Sequence, residues 1–236
     1  MNESTRILIH GASGRMGQAL LRLAAEREGL QVVAAVSRSV DSRVVDGVPR
    51  FAAHELAGVP AFDVAIDFSL PEGFDGILVA CDARNAALVS GTTGLSDMQR
   101  QTLQAASARI PVLWAANFSL GVAVLNELVE RAATALAGWD CDIVESHHVH
   151  KKDSPSGTAL ALGASAQRGG AHARYASLRA GDIVGEHLVQ FTTLGERVEL
   201  VHRATNRDVF ARGALHAASR LARRLPGLYQ LRDLLG

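Results

Sequence analysis

Short apolar blocks alternate with amphipathic stretches through the first half of the chain. Arg6 to His10 reads as a strand, and a glycine-rich turn separates it from a helix over about Arg15 to Glu28. In that helix Met16, Leu20, Leu23 and Ala24 share one face at helical spacing. A second strand over Gln31 to Val36 is apolar without alternation, as a strand covered on both faces should be. Phe62 to Phe68 is another strand, and Pro71 stands where a first helical turn tolerates proline. The helix it opens runs to about Asn85, a strand follows at Ala87 to Ser90, Ser96 caps a helix through Ser107, and Pro111 to Ala115 is a further strand. Strand and helix at this spacing predict a parallel sheet with right-handed crossovers.

The rhythm changes after Phe118. A long helix over about Leu120 to Leu136 leads into a strand that alternates apolar and polar residues from Trp139 to His147. Lys151 to Gly157 reads as a polar loop and Thr158 to Gln167 as a helix, with a weakly patterned stretch opening at Gly169-Gly170. Ile183 to Thr193 and Arg197 to Arg203 predict antiparallel strands joined at Leu194-Gly195-Glu196. A helix over about Phe210 to Arg224 and a last short helix beyond Pro226-Gly227 close the chain. Antiparallel strands after a parallel sheet predict a second, α+β domain.

Gly11-Ala12-Ser13-Gly14-Arg15-Met16-Gly17 lies between the first strand and the first helix. Glycines there let the backbone turn tightly and approach a pyrophosphate, which the free N–H groups of the helix start can hold. The plainer reading is a turn that lets helix and sheet pack closely. The end of the second strand, Ser37-Arg38-Ser39, has no acid until Asp41. A carboxylate at that place would hold the ribose of NAD, whereas an arginine suits the 2′-phosphate of NADP, so Arg38 favours NADPH over NADH. Gly91-Thr92-Thr93-Gly94 and Ala115-Ala116-Asn117-Phe118 end two other strands on the same carboxyl edge, where open parallel sheets bind ligands.

The second constellation is Glu145-Ser146-His147-His148-Val149-His150-Lys151-Lys152, followed by Ser156-Gly157-Thr158 at a helix start. Extended geometry would turn His147 and Lys151 to one face and His148 and His150 to the other. Imidazoles, ammonium groups and a helix N-terminus on one loop suit a small carboxylate-bearing substrate that must be protonated. A metal site on His147, His148 and His150 is the rival reading, with the lysines against it; a solvated basic loop is the bland one.

Composition narrows the field. Lys+Arg and Asp+Glu are each 24, so there is no global basic field for nucleic acid, and 5% aromatics leaves few stacking platforms. Cys81 and Cys141 are too few for a disulfide framework or a thiolate zinc site. No stretch approaches the ~18–20 apolar residues of a membrane helix, and Met1 to Thr5 is no secretory signal, so a soluble, cytoplasmic protein is expected.

The two constellations together resemble the 4-hydroxy-tetrahydrodipicolinate reductase (dihydrodipicolinate reductase) family of lysine and diaminopimelate synthesis. The most specific string is His147-His148-x-x-Lys151-x-x-Ser154-Pro155-Ser156-Gly157-Thr158-Ala159-Leu160. Asp67-Phe68-Ser69-x-Pro71-Glu72, Gly91 to Gly94, Ala116 to Ser119, Ala180 to His187 and Gly227 to Asp233 resemble the family's motifs as well. The resemblance implies an α/β chain with a Rossmann dinucleotide-binding domain over 1–118 and 210–236. Residues 119–209 would form the α+β substrate-binding and oligomerisation domain, whose mixed sheet builds a homotetramer. It implies NAD(P)H-dependent reduction of 4-hydroxy-tetrahydrodipicolinate, a cyclic dicarboxylate, to tetrahydrodipicolinate with loss of water. His147 and Lys151 would handle the proton, His148 would touch substrate, and Ser156, Gly157 and Thr158 would bind a carboxylate. The cofactor would lie along Gly11, Ala12, Ser13, Gly14, Arg15 and Met16, Arg38, Gly91, Thr92 and Thr93, and Ala115, Ala116, Asn117 and Phe118, with no metal. Three departures stand out: Ser37 where many members carry an acid, Val149 where some carry arginine, and a shorter stretch between the Thr158 helix and Ala180. A dinucleotide-binding protein with weak or lost turnover, serving as a sensor or pathway-associated module, and a metal-dependent hydrolase are the alternative classes.

Overall fold

The computed structural model describes residues 4–236. The chain opens with β1 (Thr5–His10), α1 (Arg15–Ala25), β2 (Leu30–Ser37), β3 (Val44–Val45), β4 (Val48–Ala52) and a 3-10 turn over Ala53–Gly58. It continues through β5 (Val64–Asp67), α2 (Pro71–Asp82), β6 (Ala87–Ser90), α3 (Asp97–Ala106) and β7 (Pro111–Trp114). Next come α4 (Leu120–Ala135), β8 (Asp140–His147), α5 (Gly157–Arg168), β9 (Ala173–Arg179), β10 (Gly185–Thr193) and β11 (Glu196–Ala204). Last are α6 (Asp208–Leu221), β12 (Gly227–Tyr229) and a 3-10 turn at Leu231–Leu234. Two compact units result: one runs up to Phe118 and resumes at Phe210–Gly236, and the other is Ser119–Val209.

In the first unit the strand order is β12-β7-β6-β5-β1-β2-β4-β3. All neighbours are parallel except the β3–β4 hairpin. The order reverses at β1, which pairs with β2 on one side and β5 on the other, so the crevice for a ligand falls beyond their carboxyl ends. One face of the sheet (Leu8, Val36, Ala65, Leu88, Val112) packs on Phe74, Ile77 and Leu78 of α2 and Leu103 of α3. The alternate residues Ile7, Ile9, Ile66 and Val89 are fully buried too, which accounts for the unbroken apolar runs.

α1 stops at Ala25, short of the expected Glu28, because the chain turns through Gly29 (φ 78°), whose carbonyl receives the Thr5 N–H at 2.9 Å. Residues 38–61 are not loop throughout. The Asp46-Gly47 pair takes positive φ and closes the β3–β4 hairpin, a turn signal that the sequence carries openly. α3 begins on a capping box in which Ser96 Oγ accepts from Gln99 N–H and Gln99 Oε1 accepts from Ser96 N–H. Beyond Pro226 the expected short helix is first β12, pairing with β7, and only then a 3-10 turn.

The second unit is a sheet in the order β11-β10-β8-β9, antiparallel except where β9 runs parallel to β8. β9 occupies the weakly patterned stretch after Gly169-Gly170, which is therefore a strand; Ala173–Arg179 is rich in Ala, Ser and Arg and gives a faint apolar signal. On the inner face Cys141, Ile143, Val189 and Phe191 pack against Leu125 and Val129 of α4 and Leu162 of α5. The next row of that face turns polar, with Ser177, Glu145, His187 and His202 side by side across four strands. Cys81 and Cys141 are free and buried, and burial pushes both thiols up, Cys141 to about 11.

Candidate active site

The carboxyl ends of β1, β5 and β6 are tied together by one buried carboxylate. Asp67 Oδ1 meets His10 Nδ1 at 2.8 Å, and Oδ2 accepts from Ser90 Oγ at 2.9 Å and Thr92 Oγ1 at 2.8 Å. Burial opposes ionisation of Asp67, yet the His10 bond and charge, with Ser69 and Thr92, hold its carboxyl below the usual range. The glycine loop rests on this platform. Gly11 takes φ 79°, and a Cβ there would stand 2.4 Å from the Phe68 carbonyl oxygen; one on Gly17 would stand 2.3 Å from the Gly11 oxygen. Both positions require glycine. The Gly11 and Ala12 N–H groups donate to Val36, while Ser13, Gly14 and Arg15 are exposed and Met16 is half-buried. Gly14 is the N-cap of α1 and supplies no side-chain cap, and the first turn carries no acid. This cradle fits a pyrophosphate: the helix start is uncapped, free of negative charge, and reached by residues without bulky side chains.

Arg38 follows β2 and is exposed. Gly91 seats the Phe68 ring, leaving only 2.2 Å for a Cβ. Thr92 is buried, its hydroxyl committed to Asp67 and its carbonyl to Trp114 Nε1 at 2.8 Å, so its side chain shapes the turn; Thr93 is exposed. After β7, Ala115 N–H donates to the Ser90 carbonyl at 3.1 Å, Ala116 is exposed, Asn117 is half-buried, and Phe118 is buried edge-on to Phe68 at 5.3 Å. All of these groups follow carboxyl ends of one sheet.

In the second unit β8 ends at His147, and the chain turns at once, with Lys151 N–H donating to the His148 carbonyl at 3.1 Å. The extended geometry expected through Lys151 is thus replaced by a turn, and His148 and His150 face one another at 6.3 Å. His147 Nδ1 is paired with Glu145 Oε2. Glu145 has no exposed surface, and its other partners are the Arg179 guanidinium and the Ser156 N–H at 3.2 Å. Burial works against this carboxylate, but Arg179, Ser177 and His147 together bring it down to about 2. An ionised Glu145 accepts the hydrogen bond of His147 Nδ1–H, which leaves Nε2 as the ring's working nitrogen. Burial lowers the imidazolium pKa of His147, with Lys151 and Arg179 adding to it and Glu145 opposing.

Lys151 Nζ lies 2.9 Å from Asp153 Oδ1. The Lys151 contact first, and the Gly157 N–H at the start of α5 after it, hold the Asp153 carboxyl below its ordinary value. An oxyanion is therefore already received by an ammonium group and a helix start. Ser156 is buried: its Oγ accepts from Ala159 N–H at 3.2 Å and meets His187 Nε2 at 3.3 Å. Its hydroxyl caps the helix, and Gly157 (exposed) and Thr158 (half-buried) form the outer rim. Among the described residues no group of three His, Cys, Asp or Glu has the arrangement of a metal site. The residues that sequence reasoning left without a role are Glu145, Arg179 and His187. Glu145 stands two positions before His147, the in-strand spacing that puts both on one face, and so was findable.

A parallel sheet with a glycine cradle on its carboxyl edge, in one chain with an α+β unit bearing a carboxylate-oriented histidine, defines a two-unit oxidoreductase of the pyridine-nucleotide class with a Rossmann domain. Models of dihydrodipicolinate reductase match it, the N-terminal one over residues 5–118 and the C-terminal one over 121–235. The chain belongs to the dihydrodipicolinate reductase family. It is 75% identical over 238 positions to the 4-hydroxy-tetrahydrodipicolinate reductase of Stenotrophomonas maltophilia (strain R551-3), with all of both chains covered. It is 69% identical to that of Xanthomonas campestris pv. campestris (strain B100), covering 98% of this chain and 97% of the relative. In fold it is similar to the dipicolinate-bound dihydrodipicolinate reductase of Paenisporosarcina sp. TG-14 (TM-score 0.81, 21% identity, 98% and 99% covered). A Corynebacterium glutamicum diaminopimelate dehydrogenase is more distant (TM-score 0.62, 15% identity, 100% and 96% covered).

Proposed function

We propose that this chain catalyses NAD(P)H-dependent reduction of 4-hydroxy-tetrahydrodipicolinate to tetrahydrodipicolinate in lysine and diaminopimelate synthesis. One water leaves, and one hydride and one proton are added. The observation that carries the reading is the meeting of an oriented imidazole, an ammonium group and a helix start on the turn after β8, in a member of this family.

The unit up to Phe118 with Phe210–Gly236 binds the nucleotide, and Ser119–Val209 binds the substrate. The glycine loop from Gly11 to Met16 holds the pyrophosphate, and Gly91 to Thr93 with Ala115 to Phe118 border the nicotinamide side. When bound, the nicotinamide supplies the hydride. Lys151, Gly157 and Thr158 receive a substrate carboxylate as Lys151 and Gly157 now receive Asp153, and His148 lines the same site. Hydride addition to the conjugated C=C–C=N system leaves an enamine-like anion, and Lys151 Nζ–H or the His147 imidazolium, through its Nε2–H, supplies its proton, a contribution of ~10²–10⁴-fold in rate. Glu145 holds the proton on Nδ1, so that the proton gained and given up by the imidazolium is the one on Nε2.

Ser37 and the exposed Arg38 support NADPH as the preferred cofactor, since a guanidinium pairs with a 2′-phosphate and Ser37 leaves no carboxylate for a free ribose. Arg38→Ala is expected to weaken NADPH binding about tenfold or more and to leave NADH binding unchanged, because a hydrogen bond to a charged group is worth about 1.5–3 kcal/mol. Equal losses for both would remove Arg38 from the phosphate site. The chain works in the cytoplasm as a homotetramer. In support, no helix among the described residues is long and apolar enough to cross a membrane. The outer face of the second sheet carries a half-exposed to exposed apolar row, Ala176, Val144, Leu188 and Val201, flanked on one side by the polar row Arg174, Asp142, Gln190 and Glu199.

A further inference from the structure

β9 carries a residue with an unusual set of partners. Parallel register puts Arg179 directly beside His147. Its Nη1 and Nη2 fork onto the two carboxylate oxygens of Glu145 at 2.9 and 2.8 Å. The same guanidinium turns its Nε to the Lys151 carbonyl at 3.3 Å, and Nη2 also donates to the Asp153 carbonyl. One planar group thus holds the carboxylate that orients His147 and the main chain that carries Lys151. The Arg179 side chain is 20% exposed and Glu145 0%, so the fork is shielded from solvent.

We propose that Arg179 is a positioning residue for the reaction, a clamp that fixes the His147 ring and the Lys151 turn relative to each other. The inference rests on the functional reading above, in which those two residues handle the proton. Guanidinium geometry is what the role demands: a lysine brings the charge but cannot fork a carboxylate and brace two carbonyls at once. A misplacement of about 1 Å between reacting groups costs on the order of 10²-fold in rate, so the clamp acts on turnover. The segment between α5 and Ala180 is accordingly the strand that delivers this side chain.

Charge gives the proposal a sign. The groups facing His147 are Glu145 on its own strand, Arg179 on β9, His187 on β10 with ring centroids 5.3 Å away, and Lys151 and His148 on the following turn. Removing the Arg179 cation raises the pKa of the imidazolium, and removing the Glu145 anion lowers it. A residue that merely supports the fold would not move that ionisation in opposite directions in the two variants.

The test compares the intact protein with Arg179→Gln, Arg179→Lys and Glu145→Gln. For each, kcat, KM, the pH profile of kcat/KM with substrate formed in situ, and the NADPH Kd are measured. In Arg179→Gln, kcat is expected to fall about 10–100-fold with the NADPH Kd unchanged, and the ionisation belonging to His147 to move to higher pH. In Glu145→Gln it moves to lower pH. Arg179→Lys keeps it near the wild-type position and recovers only part of kcat. The clamp is overturned if Arg179→Gln keeps its kcat, if NADPH affinity falls in step with kcat, or if both neutralising variants move the ionisation the same way. Histidine ¹⁵N chemical shifts of the unaltered protein give a readout independent of variants and of turnover. Neutral His147 is expected to carry its proton on Nδ1, and a neutral ring protonated on Nε2 alone would refute the arrangement. Absence of turnover in the unaltered protein refutes the functional reading, and the ¹⁵N result then decides the clamp separately.

Discussion

Under the proposed reaction Lys151 and His147 would serve different parts of one proton transfer. The ammonium group lies on a turn and already binds a carboxylate, whereas the imidazole is buried with its Nδ1 committed to Glu145. Lys151→Ala is expected to cut turnover by ~10²–10⁴-fold and to leave NADPH affinity unchanged, which stopped-flow kinetics and fluorescence titration check; a parallel loss of cofactor affinity would take Lys151 out of that role. His187 makes a separate prediction about stability. Burial, then the neighbouring His147 and His202, push its pKa down from 6.5 to about 4. Between those values the unfolded chain takes up a proton that the folded one refuses, so stability falls as pH drops from about 6.5 to about 4 and levels off below. The term amounts to roughly 3 kcal/mol at full extent. His187→Gln is expected to flatten the fall in Tm over that interval, and an unchanged slope would mean that other groups cause it.

At the scale of elements, the strands and helices that could be read from sequence are those whose burial is one- or two-sided over four or more residues. β1, β6 and β7 are continuous apolar runs with both faces covered, and β8 and β10 alternate because one face packs on helices. Of the elements that escaped, β3, β9 and β12 are edge strands and β4 lies next to the edge, where burial imposes little pattern. The site divides the same way. The glycine loop and the histidine–lysine turn are local in sequence and legible, whereas Arg179 reaches Glu145 across 34 positions and only the parallel register of β9 reveals it. The glycine loop itself can be tested one position at a time. In Gly17→Ala the new Cβ meets main-chain atoms of Gly11 and Ala12 at 2.3 and 2.5 Å, so a loss of about 1–3 kcal/mol in stability is expected together with weaker NAD(P)H binding. Gly14→Ala meets only the Gly11 oxygen at 3.3 Å. It should fold with its Tm kept and lose nucleotide affinity alone; unaltered affinity would place the pyrophosphate elsewhere.

At the scale of the whole molecule, the outer face of the second sheet and the chemistry of the two units carry the remaining claims. If copies of the chain associate through the Val144, Leu188 and Val201 row, Leu188→Asp should shift the mass in light scattering from four chains toward one, since a carboxylate buried among apolar side chains is strongly disfavoured. A mass unchanged by the substitution would put the assembly on another surface. The chemistry of the whole molecule is reduction of the cyclic dicarboxylate with a nicotinamide cofactor. Its direct test is to follow NADPH and NADH absorbance in separate reactions while a dihydrodipicolinate synthase forms the unstable substrate in situ from pyruvate and aspartate semialdehyde, with controls lacking either protein. Oxidation that depends on both proteins, faster with NADPH than with NADH, is the expected result. Cofactor that binds but is not oxidised in either reaction would refute this activity and leave a nucleotide-binding protein without this turnover.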